Sequence, residues 1–139
     1  MEECNNDTLK YIEKNYEQNK ARYIGKTIQF WADECQIKLG EVVPGEFSPW
    51  GKDKSLIGKV ENISFDIPFS ESSNYYEYTI YLYIESPYTL NWDEAADLGG
   101  DYTATWGAKT YYFYKDQKIK DIYVYKEKNG EKIENYTRP

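Results

Sequence analysis

The spacing of apolar and polar positions changes period once along this chain, close to Gly25. Before it, Leu9, Ile12, Tyr16, Asn19 and Tyr23 recur at intervals of three and four with Tyr11 beside the stripe, which predicts an amphipathic helix over residues 6–23. Asn6 or Asp7 caps its start, because either side chain accepts a hydrogen bond from the orphan amides of the first turn. Gly25 stands where the helix should stop. Lys10, Glu13, Lys14, Glu17 and Lys20 fall on the opposite face, which is assigned to solvent.

From Lys26 onward the alternation has a period of two, and the expected elements are strands. Candidates lie at 27–31 and 36–43, before Pro44, Gly45, Pro49 and Gly51 break the chain into an irregular loop over 44–55. Ile63, Phe65 and Ile67 alternate with Ser64 and Asp66, and Pro68 is expected to end that strand. A polar turn at 70–74 leads into the longest strand, 76–84. There Tyr76, Tyr78, Ile80, Leu82 and Ile84 make the core face, and Glu77, Thr79, Tyr81, Tyr83 and Glu85 the other. Residues 91–100 read as a short helix capped by Asn91, with Asp93 and Glu94 in the first turn and Gly99 at its end. Strands are expected at 102–106, 109–114 and 120–127, and Asn129-Gly130 is a type I′ hairpin signal returning the chain at 131–137.

These elements give an α+β fold: an N-terminal amphipathic helix packed on a curled, mainly antiparallel sheet of about seven or eight strands. The alternative is a mostly-β open barrel or sandwich. Residues 1–139 are read as a single domain, without repeat, linker or low-complexity segment. Hydrophobic residues make up 40%, too apolar a composition for a disordered acidic chain. No apolar run approaches the ~18 residues of a membrane-crossing helix, so no transmembrane segment is expected.

Composition narrows the chemistry. The chain has no histidine, which removes the commonest general base and metal ligand together. Cys35 has no imidazole to activate it, and Cys4 and Cys35 lack zinc-site spacing. Glu77 and Glu85, about 26 Å apart along one strand, cannot act as a glycosidase pair. The expectation is a protein that is not an enzyme and carries neither cofactor nor metal. Asp93, Glu94, Asp97 and Asp101 form the densest acidic group, but their spacing matches no EF-hand loop.

Binding is the better reading. Sixteen tyrosines, mostly in strand-like runs, supply rings with an apolar body and a polar tip, suited to half-buried contact surfaces. With 24 acidic residues against 17 basic, direct binding of nucleic acid is not expected; a basic protein partner, steered by the acidic field, is. The expected contact residues are Trp92, Asp93, Glu94, Asp97 and Asp101, with Tyr81 and Tyr83 as neighbouring anchors. Tyr123 and Tyr125, and one alternating pair from 111–114, are candidates to extend the tyrosine surface.

In composition and size alone the chain resembles immunity proteins of bacterial toxin systems and phage-encoded inhibitors of defence enzymes. That resemblance implies an acidic inhibitor of a toxin or a nuclease. The alternative is an exported or surface-lipoprotein domain that binds a ligand such as carbohydrate, with Trp50 and Trp92 beside carboxylates as the attraction. No signal segment is read at the start, so the cytoplasm is the expected compartment, with export or lipid anchoring as the alternative. The pairing of Cys4 with Cys35 and the oligomeric state are left open by the residues.

Overall fold

The sheet grows outward from its longest hairpin. In the computed structural model, which describes residues 8–71, 73–99 and 103–133, β2 (Val60–Glu71) and β3 (Asn74–Ile84) pair antiparallel from Glu71↔Asn74 at the turn to Asn62↔Tyr83. β1 (Glu41–Glu46) lies along the outer side of β2, and the two-residue β4 (Ala104–Thr105) along β1. On the other side of β3 runs β5 (Ile119–Lys128), which Asn129 and Gly130, at φ 53° and 85°, turn into β6 (Glu131–Lys132). The order is β4-β1-β2-β3-β5-β6, antiparallel throughout.

Helices cover one face of this sheet. The N-terminal segment passes from α1 (Thr8–Ile12) through a π-helical turn (Glu13–Gln18) to a 3-10 turn (Lys20–Arg22). Then come α2 (Ile28–Glu34), α3 (Trp92–Asp97) and α4 (Ala108–Tyr114). Each contributes buried side chains to a single core, where Ile12, Tyr16, Tyr23, Ile28, Trp31, Ala95 and Tyr114 meet Ile63, Phe65, Ile80, Leu82, Ile122 and Val124. At its centre the Trp31 indole stacks on Phe65, with centroids 5.4 Å apart. Among the described residues, no helix is long and apolar enough to cross a membrane.

The fold class is as expected; several elements differ. The described residues form six strands, not seven or eight, in one open sheet rather than a barrel or sandwich. The helical cover is divided among short helices instead of resting on one long N-terminal helix. Residues 28–31 and 109–114 are helical. Thr27 caps α2 by accepting from the Phe30 amide at 3.1 Å, and Ile28 and Trp31, three apart, both reach the core. In α4 the Thr110 hydroxyl accepts from the Gly107 amide at 2.8 Å, and Thr110 and Tyr114, four apart, are buried. β-type residues in short runs fit either period, and here the caps and the core decide.

Prolines behave as edge residues, not strand ends. β1 runs through Pro44 and β2 through Pro68. β4 pairs only with Glu41 and Val42, and β1 reaches along β2 only to Phe65, so each proline lies where its strand has a single paired neighbour. A missing N–H can face outward there without removing a ladder bond. In the N-terminal segment the π turn carries one extra residue per turn and rotates the residues after it. Asn19 is therefore exposed, and Glu17, assigned to solvent, is 5% exposed in the core.

Gly99, just past α3, has a structural requirement. A Cβ there would collide with the Thr103 carbonyl oxygen and lie 2.7 Å from Ala104 Cα. Both obstacles are main chain, so relief means moving β4. Gly99→Ala is expected to lower stability by about 1–3 kcal/mol, read as a fall in Tm; an unchanged Tm would show that residues 103–105 shift freely.

Candidate protein-binding face

Because side chains alternate along a strand, fixing the helices on one face fixes what the other face presents. The register sets four rows across the centre of the sheet: Asn62–Tyr83–Asp121, Ser64–Tyr81–Tyr123, Asp66–Thr79–Tyr125 and Pro68–Glu77–Glu127. All of these positions lie opposite the core face of β3, and no described helix sends its buried side chains to this side. Tyr81, Tyr83, Tyr123 and Tyr125 are half-buried on this face. The Tyr81 ring stacks with Tyr83 at 6.4 Å and tilts against Tyr123 at 6.0 Å.

Carboxylates are set among these rings. Asp66 accepts from the Thr79 hydroxyl at 2.8 Å, and Glu77 accepts from the Tyr75 hydroxyl at 3.4 Å. The hydroxyls register the negative field. Tyr81 is pushed above its ordinary pKa by burial, then by Asp66; Tyr125 by burial, then by Glu127; Tyr75 by burial, then by Glu77. Asp121 is ion-paired with Lys20 at 2.9 Å. Among the described residues, Asp66, Glu77 and Glu127 have no ion-pair partner. An aromatic surface carrying carboxylates outside the described ion pairs suits a cationic protein surface and repels phosphate.

The residues expected from sequence fall in two places. Tyr81 and Tyr83 are on this open face. Trp92, Asp93, Glu94 and Asp97 belong to α3, which packs on β1, two strands from β3. The Trp92 indole donates to the Pro44 carbonyl oxygen at 3.0 Å and is half-buried, which gives it an anchoring role in the fold. Asp93, Glu94 and Asp97 are exposed, and Asn91 caps the helix by accepting from the Glu94 amide at 3.0 Å. Asp101 lies outside the described residues.

Of the aromatic runs offered as extensions, Tyr123 and Tyr125 join Tyr81 in register. The run 111–114 does not, because it is helix α4 and its Tyr114 is fully buried in the core. Alternation along one strand already put Glu77 on the face of Tyr81 and Tyr83; Asp66 and Glu127 were missed as contact residues, because only pairing register places them on that same face.

Catalytic groupings are sparse. Burial pushes the Cys35 thiol up, keeping it protonated and a poor nucleophile, and its Sγ lies 3.5 Å from the Ile37 carbonyl oxygen. Cys35 is a free thiol, and Cys4 lies outside the described residues. A cleft of about 400 Å³ beside β2 has Lys38 and Asp66 as its charged groups, and one of about 270 Å³ has Glu85, Asp116 and Lys118. Among the described residues, no group of three or more Cys, Asp or Glu side chains is arranged to hold a metal ion. No protein-family model, curated protein or solved structure matches the chain.

Proposed function

We propose that this chain is a stoichiometric, protein-binding inhibitor, of the kind that neutralises a bacterial toxin or blocks a nucleic-acid enzyme. The observation that carries this reading is the group of half-buried tyrosines set among carboxylates that have no ion-pair partner among the described residues, on the face of the sheet away from the described helices. Carboxylates stand in for the phosphates that such an enzyme binds, and long-range attraction speeds encounter with a basic surface. The tyrosines supply desolvated contact area at low conformational cost and slow dissociation. The α3 carboxylates Asp93, Glu94 and Asp97 add to the acidic field from a second element. The working compartment on this reading is the cytoplasm, where the pool of reduced thiols keeps Cys35 unpaired.

A second reading, a surface or exported domain that binds carbohydrate, is favoured by one observation: Trp50 is 89% exposed on the loop following β1. One experiment separates the two. The full chain, immobilised and exposed to extract of its native host, is expected to retain one basic protein in equimolar amount. Retention of glycan without protein supports the second reading, and recovery of no protein partner overturns the first.

A further inference from the structure

The open face already holds one cation of its own. Lys132, on β6, places its ammonium 5.9 Å from the centroid of the Tyr125 ring, and β6 pairs so that Lys132 lies directly opposite Glu127. Ring, carboxylate and cation therefore form one unit at the β5–β6 end of the face. A cation over a tyrosine face is attracted by the ring quadrupole, and a carboxylate alongside adds direct charge attraction.

A similar ring and carboxylate stand toward the centre of the sheet, and there no described cation is ion-paired with the carboxylate. Tyr81 is the central ring, flanked by Tyr83 and Tyr123. Asp66 pairs with Thr79, two residues from Tyr81 on the same face, which makes Asp66 the diagonal neighbour of Tyr81. Diagonal neighbours stand roughly 7–8 Å apart, within reach of long side chains. The Thr79 hydroxyl holds one Asp66 oxygen, Oδ1, at 2.8 Å and orients the carboxylate. Asp66 is exposed and has no ion-pair partner among the described residues.

A guanidinium matches this pair better than an ammonium does. It is planar, stacks on an aromatic face and donates along its edge to a carboxylate at the same time, and it is more weakly hydrated. Resting on the protein-binding reading above, we infer that this face takes an arginine side chain of a basic protein partner, stacked on Tyr81 and hydrogen-bonded to Asp66. Lys132 over Tyr125 is the intramolecular counterpart of that contact. Tyr81 is then the aromatic anchor of the interface, and Asp66 selects the charge.

The test uses the full chain and two blocked peptides, tetra-arginine and tetra-lysine, titrated at low salt while the tyrosine ring resonances are followed by NMR. Tetra-arginine is expected to move the Tyr81 and Tyr123 rings and to bind more tightly than tetra-lysine. Asp66→Asn and Tyr81→Leu are each expected to weaken tetra-arginine by about 3–10-fold, while Asp116→Asn, at an exposed carboxylate on the loop before β5, leaves it within about twofold. Equal binding by parent and Asp66→Asn, or ring shifts confined to residues near α3, overturns the inference. Asp66→Asn alters an exposed side chain, so it stays informative if Tyr81→Leu perturbs packing. The two readings fail separately. A host partner captured undiminished by both variants removes the arginine subsite and leaves the inhibitor reading. Peptide binding at Tyr81 without any host protein partner removes the inhibitor reading and leaves the subsite.

Discussion

Replacing Lys126 by methionine is expected to destabilise the fold by about 3–5 kcal/mol, a fifth or more of the roughly 5–15 kcal/mol that holds a domain together. Lys126 points from β5 into the core side of the sheet and is 6% exposed. Its ammonium lies 2.7 Å from Glu13 Oε2 and 2.8 Å from Glu17 Oε1, and 5.3 Å from the centre of the Tyr78 ring. The Tyr78 hydroxyl also donates to Glu13, at 3.3 Å. Removing the cation leaves Glu17, itself 5% exposed, as a buried charge without its counterion. Glu17→Gln is expected to cost less, about 1–3 kcal/mol, because Lys126 keeps Glu13. Lys126→Met combined with Glu17→Leu removes both buried charges together and is expected to recover much of the loss. Urea unfolding of the three variants checks the order, and a double variant no more stable than Lys126→Met would show that packing, not charge, sets the cost.

The same cluster gives the pH dependence a definite sign. Burial raises the Glu17 carboxyl above its ordinary value of 4.5, Lys126 opposes the rise and Glu13 adds to it. A carboxyl raised in the folded state binds its proton more tightly there than in the unfolded chain. Its favourable contribution is therefore complete below 4.5 and is lost as pH climbs through the folded-state value. In Lys126→Met the opposing cation is gone, so the deficit relative to the parent should be widest near neutrality and narrow on acidification toward 4.5. A deficit independent of pH would contradict that assignment.

How much of this was legible in the sequence differs from element to element. Strand β3 was readable because burial alternates strictly from Glu77 to Ile84, long enough for period two to exclude a helix. The Asn129-Gly130 turn was readable because its dipeptide has a stereochemical meaning. Helices α2 and α4 were not, since each is only seven residues long, with Ile28, Phe30 and Trp31 in one and Thr110 to Tyr114 in the other favouring a strand, and its helical state depends on Thr27 or Thr110 and on a core assembled from distant strands. Glu17 was misplaced by a π turn, an insertion that shifts register without leaving a mark in composition.

The open face was half legible for a related reason. Alternation assigned Tyr81 and Tyr83 to the side away from the core, and that assignment needs only β3. Bringing Tyr123, Tyr125, Asp66 and Glu127 beside them needs the register of β3 against β5 and β2, which the residues of a single strand do not encode. The α3 carboxylates drew attention because they are close in sequence. The carboxylates that share a face with the tyrosines come from three different strands and are invisible as a cluster until those strands pair.

Reversing Asp66, Glu77 and Glu127 to lysine together is expected to weaken capture of the basic partner by about two orders of magnitude or more. Each reversal removes an attraction and adds a repulsion, at positions bordering the rings that form the desolvated centre. None of the three is in an ion pair within the described structure, so folding loses the Thr79 and Tyr75 hydrogen bonds and the attraction between Glu127 and the Lys132 opposite it, and Tm should fall only modestly. The matched control reverses Asp93, Glu94 and Asp97 on α3. Asp93 and Glu94 sit in the first turn, where the helix dipole favours negative charge, so this control is expected to lower stability by roughly 0.3–1 kcal/mol per residue while reducing binding by less than tenfold. Association and dissociation rates, followed across a salt series, separate the contributions: loss of steering slows association and flattens its salt dependence, whereas loss of contact speeds dissociation. If the α3 reversal abolishes capture and the sheet-face reversal leaves it intact, the binding surface is α3, and the tyrosine rows serve only to cover the sheet.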